Sequence, residues 1–273
     1  MDFSSTQGGI FPAIDMQILI EYLVQYFVAS LRIGAFLITS PFMGSRSIMP
    51  TVRVMLALVM TVLIAGKVPV PDSAVIGSAF GVALIVKEIA IGLFAGLILT
   101  IWFSAASLAG EKVATSAGLG YASMMDPDAG GQTPVVGRLF SLFLIVIFLS
   151  LDGHLMAIAI MMRSYEFAPI GEMQSLLGLI EAGVAVAGYM FLAAALIMLP
   201  IITVMLMINI AIGIITRSAP QLNLFSFGFP ISMLGVFFVL YISAGVLGFA
   251  FSDLVDSALS DIEITIGGLS SGE

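Results

Sequence analysis

The residues of this chain most able to do chemistry are ionisable side chains set inside apolar stretches. They are Arg32, the adjacent Lys87 and Glu88, Glu111 with Lys112, and the triplet Asp152-Gly153-His154. A charge in such surroundings is costly unless it is paired or hydrated, so each one marks a requirement of function or of packing. Two uses are open: a proton or ion relay, or ion pairs between helices and snorkelling to an interface. Neighbours on a helix point about 100° apart, so Lys87 and Glu88 are each expected to find a partner elsewhere. Asp152 and His154 resemble a carboxylate-oriented base, but no G-x-S-x-G elbow is present and Ser150 and Ser164 have nothing else to recommend them as nucleophiles. Catalysis is therefore not expected. The alternative is a polar break at which Gly153 permits close helix approach and His154 hydrogen-bonds to a neighbour.

A lone His and the absence of Cys exclude disulfides, thiolate metal sites and His-rich sites, and no G-x-x-x-x-G-K-[ST] motif is present for a nucleotide. No metal or cofactor is expected. Nine Lys and Arg are scattered through 273 residues of net charge −8, which argues against nucleic acid as a partner.

The elements that must position these groups are apolar. The chain is 60% hydrophobic and only 10% charged, with a mean hydropathy of +1.17. A soluble domain carries about 25% charged residues, so this chain is built for a membrane or for burial in an assembly. Six apolar segments stand out, at 18–40, 52–66, 74–108, 139–162, 182–215 and 229–251. Runs such as Leu139 to Leu151 lack strand alternation, so the expected fold is an all-α membrane protein. A bilayer core of about 30 Å takes about 20 helical residues. Segments 18–40, 139–162 and 229–251 fit as single spans. Segment 52–66 is short, and 74–108 and 182–215 would each reach about 50 Å, so they must bend, project or pack inside protein. With Pro200 inside 182–215, kinked helical hairpins are expected.

Small residues recur at Gly77-x-x-x-Gly81, Gly92-x-x-x-Gly96, Ala105, Ala106, Ala109 and Gly110, and again from Ala182 to Gly188. At spacing four they allow helices to approach closely. One domain is expected over 1–251, followed by an acidic tail at 252–273 that forms an amphipathic helix and ends in a Gly/Ser terminus. The first 17 residues lack a basic region and do not read as a cleavable signal. Arg46, Arg53, Lys112, Arg138 and Arg217 fall in odd-numbered loops and only Lys67 and Arg163 in the others, which places both termini away from the cytoplasm.

The stretch from Ala117 to Pro134 is rich in Gly and Pro yet carries Tyr121, Met124 and Met125. Such a loop is stickier than a solvated connector, and irregular backbone at membrane depth must be buried in protein or line an aqueous path. It is either a plug or a surface connector.

An ordered set of motifs resembles the FliR family of flagellar and type III secretion export-gate proteins. Its pieces are Leu31-Arg32-Ile33, Ser40-Pro41-Phe42, Ile48-Met49-Pro50, Glu88-Ile89-Ala90-Ile91-Gly92, Ala109-Gly110-Glu111, Gly118-Leu119 and Met125-Asp126-Pro127. Gly153-His154, Ala168-Pro169-Ile170-Gly171, Leu199-Pro200-Ile201, Asn209, the run Arg217 to Asn223 and Gly228-Phe229-Pro230 follow in order. The last two are closest to the flagellar branch.

The resemblance implies a core subunit of a helical export gate in the bacterial inner membrane, at the flagellar basal body. FliP-like and FliQ-like subunits would be its partners, with an FlhB-like protein alongside, and unfolded flagellar subunits would pass through. Hairpins would pack on partner subunits and sit raised from the bilayer. The family's plug carries over to Gly118, Leu119, Gly120, Tyr121, Met124, Met125, Asp126, Pro127, Gly130 and Gly131. Arg32, Lys87, Glu88, Glu111, Lys112, Asp152, His154, Asn209 and Arg217 would make contacts between helices or subunits. The rival readings are a proton-coupled secondary transporter, relaying through Lys87, Glu88, Asp152 and His154, and a pure scaffold.

Overall fold

A computed structural model describes residues 16–45, 48–65, 68, 71, 73–119, 135–172, 177–219 and 227–269. Every regular element among them is helical: α1 (Met16–Thr39), α2 (Pro50–Ala65), the single turn α3 (Ser73–Ile76), α4 (Ala79–Ser116), α5 (Val135–Ser150), α6 (Gly153–Phe167), α7 (Leu177–Ser218) and α8 (Phe229–Gly268). Helices satisfy their backbone internally, which a chain this apolar requires wherever water is absent.

The hub is α4, packed against α1, α5, α7 and α8. Its small residues explain how. A Cβ on Gly92 would collide with the Arg32 carbonyl and Ala35, and one on Gly96 with Thr39 and the Phe36 carbonyl, so α1 lies backbone to backbone along α4 and parallel to it. Thr100 Oγ1 donates to the Thr39 carbonyl at 2.6 Å in the same seam. Further along, Gly110 meets Gly137 while Phe103 stacks edge-on against Phe148 with centroids 5.3 Å apart, so α5 returns antiparallel to α4. Gly188, by contrast, has nothing within reach of a Cβ; the small residues of α7 are only partly used within this chain.

Three elements differ from the sequence reading. Segment 139–162 is not one rod: α5 and α6 are bent by 67° at Leu151-Asp152, where Asp152 adopts a left-handed φ of 54° and the Gly153 backbone fits against the Phe148 ring. Segment 229–251 does not stop at the onset of the acidic residues. It continues to Gly268 as one helix, with Leu254, Val255, Ala258, Leu259, Ile262 and Ile266 buried, so the amphipathic helix expected of the acidic tail is the second half of α8 and not a separate element. Segment 74–108 extends to Ser116.

Among the described residues four helices are long and apolar enough to cross a membrane, or five if the bent α5–α6 pair counts as one span. At 1.5 Å per residue α4, α7 and α8 reach about 57–63 Å, twice the hydrocarbon thickness. α7 runs through Pro200 as continuous helix.

Candidate functional site

Three of the charges that the sequence singled out meet at one buried junction between α1, α4 and the C-terminal end of α6. Arg32, Lys87 and Glu88 are each no more than 1% exposed. Arg32 Nε donates to Glu88 Oε2 at 2.8 Å, its Nη1 donates to Ser164 Oγ at 3.0 Å, and its Nη2 donates to the Ala168 carbonyl at 2.7 Å. The guanidinium also lies 4.2 Å from the centre of the Tyr165 ring, and Tyr165 O–H donates to the Ala29 carbonyl at 2.6 Å. Lys87 Nζ donates to the carbonyls of Pro169 and Glu172 at 2.9 and 2.7 Å.

Lys87 and Glu88 do pair, at 3.3 Å, contrary to the expectation from helix geometry. The 100° between their Cα–Cβ directions is overcome because both side chains bend toward the same gap, where the turn after α6 comes close to α4. Two cations against one carboxylate leave a surplus positive charge. The missing negative charge is supplied by the α6 C-terminus, whose last carbonyls carry the negative end of the helix dipole and accept from Arg32. The Ala168-Pro169-Ile170-Gly171 motif is the turn that presents these carbonyls, and Gly171 reverses the chain at φ +147°, a conformation that suits glycine.

The junction is a clamp on three helices. It contains no part of the Asp152-His154 pair, which lies at the other end of α6, about 20 Å away along a helix of 15 residues. The four residues of the proposed relay therefore do not form one path. Asp152 is exposed and its side chain does not cap α6. The hydrogen bond expected of His154 to a neighbour is absent at Nδ1, which is buried without a partner, and the ring tilts against Phe42 at 6.4 Å. Ser40-Pro41-Phe42 thus serves as the seat for the first turn of α6.

Asn209 joins three helices: its Nδ2 donates to the Ser116 carbonyl at 2.9 Å, and Ser232 Oγ donates to its Oδ1 at 3.1 Å. Ser116 is the last residue of α4, so this contact satisfies one of the orphan carbonyls there. Gly118 and Leu119 close the same helix. The Gly118 N–H donates to Thr115 and the Leu119 N–H to Ala114, both at 3.0 Å, with Gly118 at φ 79°, which is a Schellman motif. These two expected plug residues thus form the C-terminal cap of α4. Gly120, Tyr121, Met124, Met125, Asp126, Pro127, Gly130 and Gly131 lie outside the described residues. Glu111, Lys112 and Arg217 are exposed.

Sequence reasoning missed Ser164 and Tyr165, the neutral groups that complete the junction, because single polar residues in an apolar run carry no periodic signal. It also missed the bonds that fasten α8: Trp102 Nε1 to Asp261 at 2.9 Å, and an exposed pair of Arg163 with Glu263 at 2.9 Å. Among the described residues no group of His, Asp and Glu could hold a metal ion.

The motifs that are scattered in sequence therefore come together as helix junctions, and comparison with known proteins agrees with what they imply. The model of the family described as bacterial export proteins, family 1, matches residues 23–258. The flagellar biosynthetic protein FliR of Pectobacterium carotovorum subsp. carotovorum is 35% identical over 219 residues, which is 79% of this chain and 82% of that protein. The protein of the same name from Escherichia coli K12 is 33% identical over 218 residues, 78% and 82% of the two chains. That of Bacillus subtilis 168 is 25% identical over 235 residues, 85% and 90%. With this much of its length matched, the chain belongs to bacterial export protein family 1, the family of the flagellar FliR proteins, which are non-enzymatic export components.

Proposed function

We propose that this chain is a core subunit of the flagellar export gate in the bacterial inner membrane, assembling with FliP-like and FliQ-like subunits beside an FlhB-like protein. Unfolded flagellar subunits would cross through the assembled pore, and the loop after α4 would close it at rest. The observation that carries this reading is the family match along residues 23–258. Support comes from helices twice as long as a bilayer is thick, with apolar faces that the chain itself leaves open.

The mechanism is steric. Helix ends fixed by Asn209 and by the Gly118-Leu119 cap hold the loop's root, while Gly and Met residues let its body seal irregular space and yield to substrate. Energy would come from other proteins.

The test replaces the loop and keeps its root. Because α4 and α5 are antiparallel neighbours in register at Gly110 and Gly137, Leu119 and Val135 can be joined by a short linker. Leu119 stands about 10 Å further along the helix axis than Val135, so with one interhelical distance the gap is about 13–14 Å, and six Gly/Ser residues, which span about 20 Å, cross it with slack. The assembled complex carrying that linker in place of 120–134 is expected to pass small ions in a planar bilayer where wild type stays tight. Equal tightness of a normally assembled variant would remove the plug from the proposal.

A further inference from the structure

A groove of about 680 Å³ runs between α4, α7 and α8, and its two sides differ in chemistry. On α7, Tyr189, Leu192 and Leu196 form an apolar wall, 55%, 57% and 65% exposed. On α8, Asp253 and Asp256 present exposed carboxylates beside Ser257 and Ser260. Asp261 lies deeper and accepts from Trp102 Nε1, so it is already engaged. No Lys or Arg lines the groove.

Neither solvent available to a bare membrane helix suits this surface. At 40 residues, about 60 Å, α8 is twice as long as a hydrocarbon core is thick, so a bilayer could cover no more than half of it wherever it lies. Carboxylates cannot be covered by acyl chains without a large penalty. The α7 wall stands at the same level as those carboxylates because both line one groove, and a wall of Tyr and Leu left to water is a large exposed apolar patch. A surface that is too acidic for lipid and too apolar for water fits a polypeptide that is itself two-sided. The chain's own net charge of −8 makes a second copy a poor occupant.

We propose that this groove holds a cationic amphipathic helix of another subunit, its apolar stripe against Tyr189, Leu192 and Leu196 and its Lys or Arg side chains meeting Asp253 and Asp256. The proposal rests on the reading of the chain as one subunit of a larger assembly and adds the chemistry by which one neighbour is chosen. Rim carboxylates of this kind contribute modestly each, but they fix register and reject acidic partners.

The test uses the assembled complex, with the full chain co-expressed with its FliP-like, FliQ-like and FlhB-like partners and a photo-crosslinking residue at Leu192 or Ser257. The expected product is a cross-link to a subunit peptide that carries Lys or Arg on one helical face. In D253K/D256K the yield should fall about tenfold, the effect of ~1.4 kcal/mol, and reversing the charge of the captured Lys or Arg should restore it. D253N/D256N, which preserves shape, should give an intermediate loss and controls for misfolding. Cross-links to lipid alone, to a second copy of this chain, to a peptide without basic residues, or a yield indifferent to charge would each overturn the proposal. Those results leave the gate reading intact so long as the subunits co-purify. Failure of co-purification instead defeats that reading, and the groove proposal with it.

Discussion

The Arg32–Glu88 pair shows how a buried charge can hold a membrane protein together without doing chemistry. Both groups have lost all contact with water, and what replaces it is the set of hydrogen bonds from Arg32 to Glu88, Ser164 and Ala168, with Glu88 Oε1 left to its ion pair with Lys87 at 3.3 Å. Removing one partner strands the other, at about 3–5 kcal/mol, whereas removing both for apolar groups of similar shape costs much less. R32A and E88A are each expected to lower the unfolding free energy in detergent by about that amount, with R32L/E88L closer to wild type than either single variant. R32K should not rescue, because an ammonium cannot reach Glu88, Ser164 and Ala168 in the guanidinium's fork geometry. A double-mutant cycle followed by denaturant unfolding measures all of this; a silent E88A would show that the junction is not a clamp. The sequence disclosed these charges but not their meeting. The 100° rule describes where Cβ atoms point, and the ends of Lys87 and Glu88 are several bonds further on.

Among the elements, apolar content made the helices legible, and the spacing of Gly92 and Gly96 marked a face for close helix contact, though not that α1 is the helix that meets it. A bulky residue at Gly92 would strike α1 backbone, which cannot move aside as a side chain can. G92V is therefore expected to lose at least ~2 kcal/mol, or to fail to accumulate, while G188V, where the space is open, should be nearly silent. Quantifying folded protein by size exclusion compares the two directly. The α5–α6 bend was not legible, since 139–162 has the length and hydropathy of an ordinary span. What breaks it is one backbone conformation, the left-handed Asp152, and Asp adopts that state with only local signs in sequence. D152V should destabilise by about 1–2 kcal/mol, whereas D152G should be neutral or slightly stabilising; if both behave alike in thermal unfolding, the bend does not depend on that conformation. The amphipathic helix past residue 251 was expected, but its continuity with the apolar span before it was hidden, for a different reason. Asp253, Asp256 and Asp261 lower the mean hydropathy, but they occupy one side of a helix whose other side, from Leu254 to Ile266, stays buried.

At the scale of the whole molecule, much of the apolar surface points outward. In the most apolar windows of α7 and α8 only 22% and 17% of residues are buried within the chain, against 50% for α4. Large side chains such as Phe191, Leu234, Phe238, Tyr241 and Phe249 are more than half exposed. Lipid can cover about 30 Å of each helix, and the remainder of helices near 60 Å long needs protein. The family to which the chain belongs gives that need a context, because in the assembly proposed above other polypeptides cover what lipid does not. The measurement that bears on this most directly is the mass of the tagged chain purified in mild detergent after co-expression with the FliP-like and FliQ-like proteins proposed as its partners. The account predicts a single assembly containing all three, into which every copy of this chain is recruited. A well-behaved monomer, fully inserted and indifferent to the presence of the other two, would contradict it.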